Sequence, residues 1–253
     1  MMALMPPAVS CPVRPDAATL HPALWRGHQL GRGAERAVPS GFAELDAQLP
    51  GGGWPRRVLT ELLLPHPGVG EMRLLAPSLA ATLQAGRLVM LFDPPATLSA
   101  WALAQLGLDA EQMLVVDGRS KLLPDASSLW ALEQALKSGH VGAVLAWLPP
   151  RLRAERLRRL QLAAQGHDGP AFVLCEMATR QRPTAAPLRL ALQPAGADRL
   201  TLHLLKRRGP PLAAPLQLAL PPVLSAAARG KAALAKPASK LPLRAAAFVD
   251  LVG

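Results

Sequence analysis

The chain has 253 residues, half of them hydrophobic, two cysteines and a formal net charge of +11. That is enough for one α/β domain with a small appendage and tails, and the charge favours acidic partners, nucleic acid or an acidic protein surface, over membranes. Cys11 sits in a Pro-rich leader and Cys175 in an apolar run, which argues against a disulfide framework or a zinc site.

Residues 1–15 carry prolines without periodicity and are expected to form a disordered leader. MMALMPPAVSCP has no basic start and is interrupted by prolines, so it does not read as a secretory signal; no apolar stretch approaches the roughly 20 residues of a membrane span. A cytoplasmic protein is expected. In the 16–36 segment, Asp16 is placed to cap a helix running to about Leu30, with Leu20, Leu24 and Trp25 on one side. PSGFAELDAQLPGGGWP then reads as a turn, a short helix bearing Phe42, Leu45 and Leu49, and a glycine turn.

From there the pattern alternates as βαβ units do. Strands are predicted at 58–64, 88–92, 113–116, 141–147 and 171–175, the fourth of them central. Helices are predicted between them at 72–85, 97–106, 127–137 and 151–165. LRLALQP and LTLHLLKRR, separated by AGAD, alternate with period two and predict an antiparallel hairpin, with LQLAL as an edge strand. The core thus spans 37–222. Residues 223–253 form a tail whose Ala, Lys and Pro content predicts a flexible basic linker through Lys240.

LLLPHPGVGEMRLL has the layout of a phosphate loop: an apolar strand, the Gly68–Gly70 turn, then a helix. A working loop needs a lysine for the β- and γ-phosphates and a hydroxyl for Mg²⁺. Here those places hold Glu71 and Met72. A unit charge about 4 Å away is worth on the order of 4 kcal/mol at an effective dielectric near 20, so sign reversal could cost up to roughly 8 kcal/mol. The strand that would end in a metal-organising aspartate ends in Trp147 and Leu148 instead. Asp93, alone at a strand end, reads as a helix cap. No nucleotide, metal or other cofactor is expected, and no catalytic residue: His66 and His203 lack partners at triad or metal spacing.

SGFAELDAQLPGGGWP followed by LTELLLPHPGVGE resembles the RecA-like recombinase superfamily, most closely its ImuA branch of translesion DNA synthesis-associated proteins. Gly41, Leu45, Asp46, Gly51 to Gly53, Pro55, Thr60, Glu61 and Leu62 carry the likeness, with HPALWRG and LKRRGPPL extending it from about His21 to Pro222. The resemblance implies a RecA-like, mostly parallel central sheet flanked by helices, with a small antiparallel extension. It also implies a non-catalytic scaffold subunit of an SOS-induced mutagenesis assembly. Its partner would be an ImuB-like, Y-family polymerase-like protein, with RecA, DNA and self-association also open. Two alternatives stand beside it: a cell-division inhibitor resembling SulA, acting on a tubulin-like division protein, and a residual ATP-dependent recombination factor.

Three patches are candidates for contact with nucleic acid or a partner. Arg151, Arg153, Arg156, Arg158 and Arg159 follow the central strand, where α/β sheets present ligands, although such arginines can equally solvate a helix face. Lys206, Arg207 and Arg208 end a strand and could hold phosphates. Phe248, Val249 and Leu251, beyond the basic linker, could dock on a partner as a strand or helix or simply fray.

Overall fold

The computed structural model describes residues 37–118, 125–212 and 214–222. The expected leader, the helix with Trp25, the basic linker and the Phe248–Leu251 patch lie outside the described residues.

The passage before the first strand is held by local chemistry. Ser40 N donates to Asp46 Oδ1 at 2.9 Å and Phe42 N to Ser40 Oγ at 3.1 Å, closing the turn into α1 (Ala43–Asp46). Gly41 is required by close approach, since a Cβ there would lie 2.3 Å from Pro77 Cβ. Trp54 is fully buried edge-on against Phe172, the ring centroids 5.1 Å apart.

The predicted alternation forms as β1 (Leu59–Leu64), α2 (Glu71–Gln84), β2 (Leu88–Phe92), α3 (Ala100–Gln105), β3 (Met113–Val116), α4 (Asp125–Lys137), β4 (Val141–Trp147), α5 (Ala154–Ala164) and β5 (Ala171–Glu176). The hairpin is β6 (Leu188–Pro194) and β7 (Arg199–Lys206), and β8 (Leu216–Ala219) is the edge strand. All eight strands join one sheet in the order β3-β2-β4-β5-β1-β6-β7-β8.

Period two explains the layering. Phe172 and Leu174 of β5 enter the larger apolar cluster with Leu74, Leu75 and Leu79 of α2, while Ala171 and Val173 enter a second cluster with Leu157 and Leu160 of α5 and Leu132 and Leu136 of α4. Helices therefore cover both faces, and the strands read as continuous apolar runs because neither face meets water. The antiparallel extension begins one strand later than the sequence indicates: β6 pairs parallel with β1, and only β7 and β8 run antiparallel. Alternation within a strand reports burial, not the direction of its neighbour, so a hairpin pattern left that pairing open.

The β1–β6 register sets Glu61 opposite Arg189 inside the sheet, the two being 2 % and 6 % exposed. Arg189 Nε lies 3.0 Å from Glu61 Oε2 and Nη2 donates to Oε1 at 3.2 Å. The remaining donors reach the carbonyls of Thr179, Arg180 and Arg182 at 2.8–3.0 Å, pinning the loop after β5. Removing one partner of such a pair leaves a buried charge and costs about 3–5 kcal/mol. Arg189→Leu should therefore lower the unfolding free energy in urea by that amount, while Glu61→Leu/Arg189→Leu should recover part of the loss.

His167, between α5 and β5, is fully buried. Burial first, then the positive charge of Arg87, lowers its pKa to about 4; Asp168 acts in the opposite direction and Arg56 in the same one. Between about pH 4 and the ordinary value near 6.5 the unfolded chain binds a proton that the folded chain refuses. The contribution is therefore complete above pH 6.5 and declines as pH falls through that window, by up to ~1.4 kcal/mol per unit. Urea midpoints measured from pH 7 to 4 should fall in the native chain and fall less steeply in His167→Leu.

Candidate functional site: a filled phosphate loop beside an apolar cleft

β1 emerges from the sheet into the Pro65–Gly70 turn, and α2 begins at Glu71. Gly68 and Gly70 have φ of 86° and 116°, left-handed values that glycine adopts without strain and that turn consecutive amides inward. The cradle has an occupant from its own chain. Glu71 Oε1 accepts from Gly68 N at 2.7 Å and Oε2 accepts from Gly70 N at 3.1 Å, and Glu71 is 3 % exposed. The carboxylate sits at the positive end of α2, where an anion is stabilised. The expected electrostatic exclusion thus takes a more specific form: Glu71 itself supplies the anion to the loop amides.

The nearest cation is also committed. Arg73 binds Asp198 Oδ1 at 2.6 Å and the carbonyls of Ala197, at 3.0 Å, and Pro221, at 2.6–2.9 Å, tying the first turn of α2 to the β6–β7 turn and the end of the β8 segment. Leu220 closes the other side of the loop, its Cδ1 only 2.8 Å from where a Gly70 Cβ would sit.

Beside this loop the carboxyl ends of β1, β2, β4 and β5 frame a cleft of about 780 Å³, in the crevice where open α/β sheets bind ligands. Its walls are Leu64, Leu129, Trp147, Leu148 and Leu174, with Pro67, Pro95, Pro149 and Pro150. Its polar groups are His66, Asp93, Ser128, Cys175 and Glu176, with no lysine or arginine among the lining residues. Such a wall suits an apolar or cationic group and repels phosphate. Trp147 Nε1 is buried in it without a hydrogen-bond partner among the described residues.

Asp93 caps no helix: α3 starts later, at Ala100, and is capped by Ser99. At φ 52° Asp93 instead accepts from Gly118 N at 2.6 Å and Ser128 Oγ at 2.5 Å, joining β2 to the exit of β3 and to α4. The Cys175 thiol, raised to about 12 by burial and then by Glu61, stays protonated and poorly nucleophilic. His66 Nδ1 lies 3.0 Å from Pro67 O and His203 Nε2 lies 3.1 Å from Gln193 Oε1; no metal-binding group of side chains occurs among the described residues. No helix of the described residues is long and apolar enough to cross a membrane.

The basic patches separate on inspection. Arg151, Arg153, Arg156, Arg158 and Arg159 are all exposed around α5. Arg159 pairs with Glu133 of α4 at 2.8 Å, and Arg156 borders a small hollow beside Trp130, which is 63 % exposed. Of the second patch only Arg208 is uncommitted by any printed bond among the described residues; Lys206 donates to Thr184 O at 3.1 Å, and Arg207 holds Gln48 O at 2.5 Å and Pro210 O at 2.8 Å. The cleft carboxylates and His167 had no warning in the sequence beyond isolated polar letters among apolar ones.

The family model for Cell division inhibitor SulA matches residues 58–171, a little under half the chain, from β1 to the first residue of β5. A similar curated protein is the Cell division inhibitor SulA of Edwardsiella piscicida, 58% identical over 41 residues, which are 16% of this chain and 24% of that protein. The chain thus spans about a quarter of the length of the relative it matches. These matches overturn the resemblance to the ImuA branch, and with it the mutagenesis-scaffold function and the ImuB-like partner drawn from it: the likeness that carries across the sheet is to the division inhibitor.

If Glu71 fills the cradle, emptying it should expose two amides to an external anion. Glu71→Ala is expected to lose about 1–3 kcal/mol of stability through those unsatisfied donors. Sulfate should raise its melting temperature while leaving that of the native chain unchanged in a thermal-shift titration, and calorimetry should detect no MgATP binding to the native chain.

Proposed function

We infer that the chain is a SulA-like division inhibitor: a non-catalytic protein of the DNA-damage response that stops division by binding a tubulin-like division protein. The match of the SulA family model across residues 58–171 carries this reading. The filled loop supports it, because a RecA-like core whose phosphate cradle holds its own carboxylate retains the fold as a binding body. In this reading residues 37–222 are that core, and 1–15, 16–36 and 223–253 are appendages to it.

The exposed arginines of α5, next to the exposed ring of Trp130, offer an acidic partner both charge complementarity and an aromatic anchor. Lys206 and Arg207 are tied to neighbouring backbone and contribute less to such a surface.

Expression of the chain in growing bacteria should produce long cells without septa, and affinity capture should recover the tubulin-like division protein. Arg153→Glu/Arg156→Glu/Arg158→Glu should reduce that capture about tenfold or more, the loss of roughly 1.4 kcal/mol or above. Normal septation, with polymerase-like subunits captured instead, would refute the assignment.

A further inference from the structure

The described chain leaves the sheet beside the cleft. Arg73 holds Pro221 O, and Leu220 packs on Gly70 of the turn whose His66 and Pro67 form one cleft wall. The stretch that follows, 223–249, contains Arg229, Lys231, Lys236, Lys240 and Arg244 and no acidic residue. The cleft has the opposite character: Asp93 and Glu176 face an apolar wall without a cation, and neither carboxylate has an ion-pair partner among the described residues.

We propose that the cleft is the docking site of the chain's own segment 236–244, KPASKLPLR, which straps back across the carboxyl ends of the sheet. Charge complementarity draws it there, since the molecule is basic overall and the cleft is acidic. Shape and composition fit as well: Leu241, Pro242 and Leu243 match a groove of Trp147, Pro149, Pro150 and Leu148, the aromatic-and-apolar surface that receives extended proline-rich segments. The indole N–H of Trp147, left without a partner, is available to one of the carbonyls that such a segment presents. Reach is sufficient, because the 14 residues from Pro222 to Lys236 span up to about 45 Å when extended, against about 20 Å at most across the Pro65–Gly70 turn.

The proposal does not depend on which partner the protein binds elsewhere. It separates the two surfaces, with the α5 arginines outside the strap and the cleft beneath it, so that the cleft opens only when the segment is displaced.

Zero-length carbodiimide cross-linking of the full-length chain, with peptide mapping of the monomer, tests this. Glu176 should join Lys236 or Lys240 roughly fivefold or more above links from the same lysines to the exposed Glu44 and Glu155, as a raised local concentration requires. Glu176→Gln and Lys236→Glu/Lys240→Glu, both surface changes, should each abolish the link without changing the melting temperature. Links spread evenly over the three glutamates would overturn the proposal. Links found solely between isotopically heavy and light copies would also overturn it, because the occupant would then be a second molecule.

Discussion

The ion pair of Glu61 and Arg189 governs how the sheet is put together. Two charges removed from water cost several kcal/mol each, and only close pairing together with satisfaction of the remaining donors recovers that. Here Arg189 meets the requirement by dividing its donors between the carboxylate and three carbonyls of the loop after β5. A register slip of one residue along β6 would send the guanidinium to the opposite face, leaving Glu61 alone in the core. The pair therefore fixes β6 as a parallel neighbour of β1, and β7 and β8 follow from it by ordinary hairpin geometry.

The same inward use of charge recurs at the head of β1. Glu71 occupies the loop amides, Arg73 is tied to Asp198 and Pro221, and Arg207 to Gln48. In a nucleotide-binding relative of this layout, the anion and its counter-cation would come from a ligand and a lysine. Here side chains and backbone groups of one chain satisfy each other, and the geometry that could hold phosphate becomes part of the scaffold. What is left open to the outside is of a different chemistry: an apolar cleft edged with carboxylates, and an exposed arginine face on α5.

That inward use also accounts for the reach and the failure of the motif resemblance. Gly41 is dictated by contact with Pro77, Asp46 by the Ser40 amide, Leu45 by burial and Glu61 by Arg189. Each is a requirement of the fold, and residues required by a fold are shared by proteins that use it differently. They could identify an α/β sheet with an altered phosphate loop but not distinguish an inhibitor of division from a subunit of a mutagenesis assembly. The distinction came from similarity over β1 to β5, and it favours the division inhibitor.

The amino-acid sequence alone determined the alternation of strands and helices, the hairpin, the edge strand and the loss of the phosphate-binding lysine, because periodicity, glycine turns and charge identity are local properties. Residues such as Val58, placed in the first strand by pattern but lying just outside β1, differ only at element ends, where fraying competes with pairing. Tertiary structure alone decided that β6 lies parallel to β1, that Glu71 turns into the loop instead of towards water, that Asp93 joins β2 to α4, and that Arg207 serves the backbone while the α5 arginines face solvent. Each of these depends on a partner far away in the chain, and a charge or a carboxylate written in sequence carries no record of which distant donor will satisfy it.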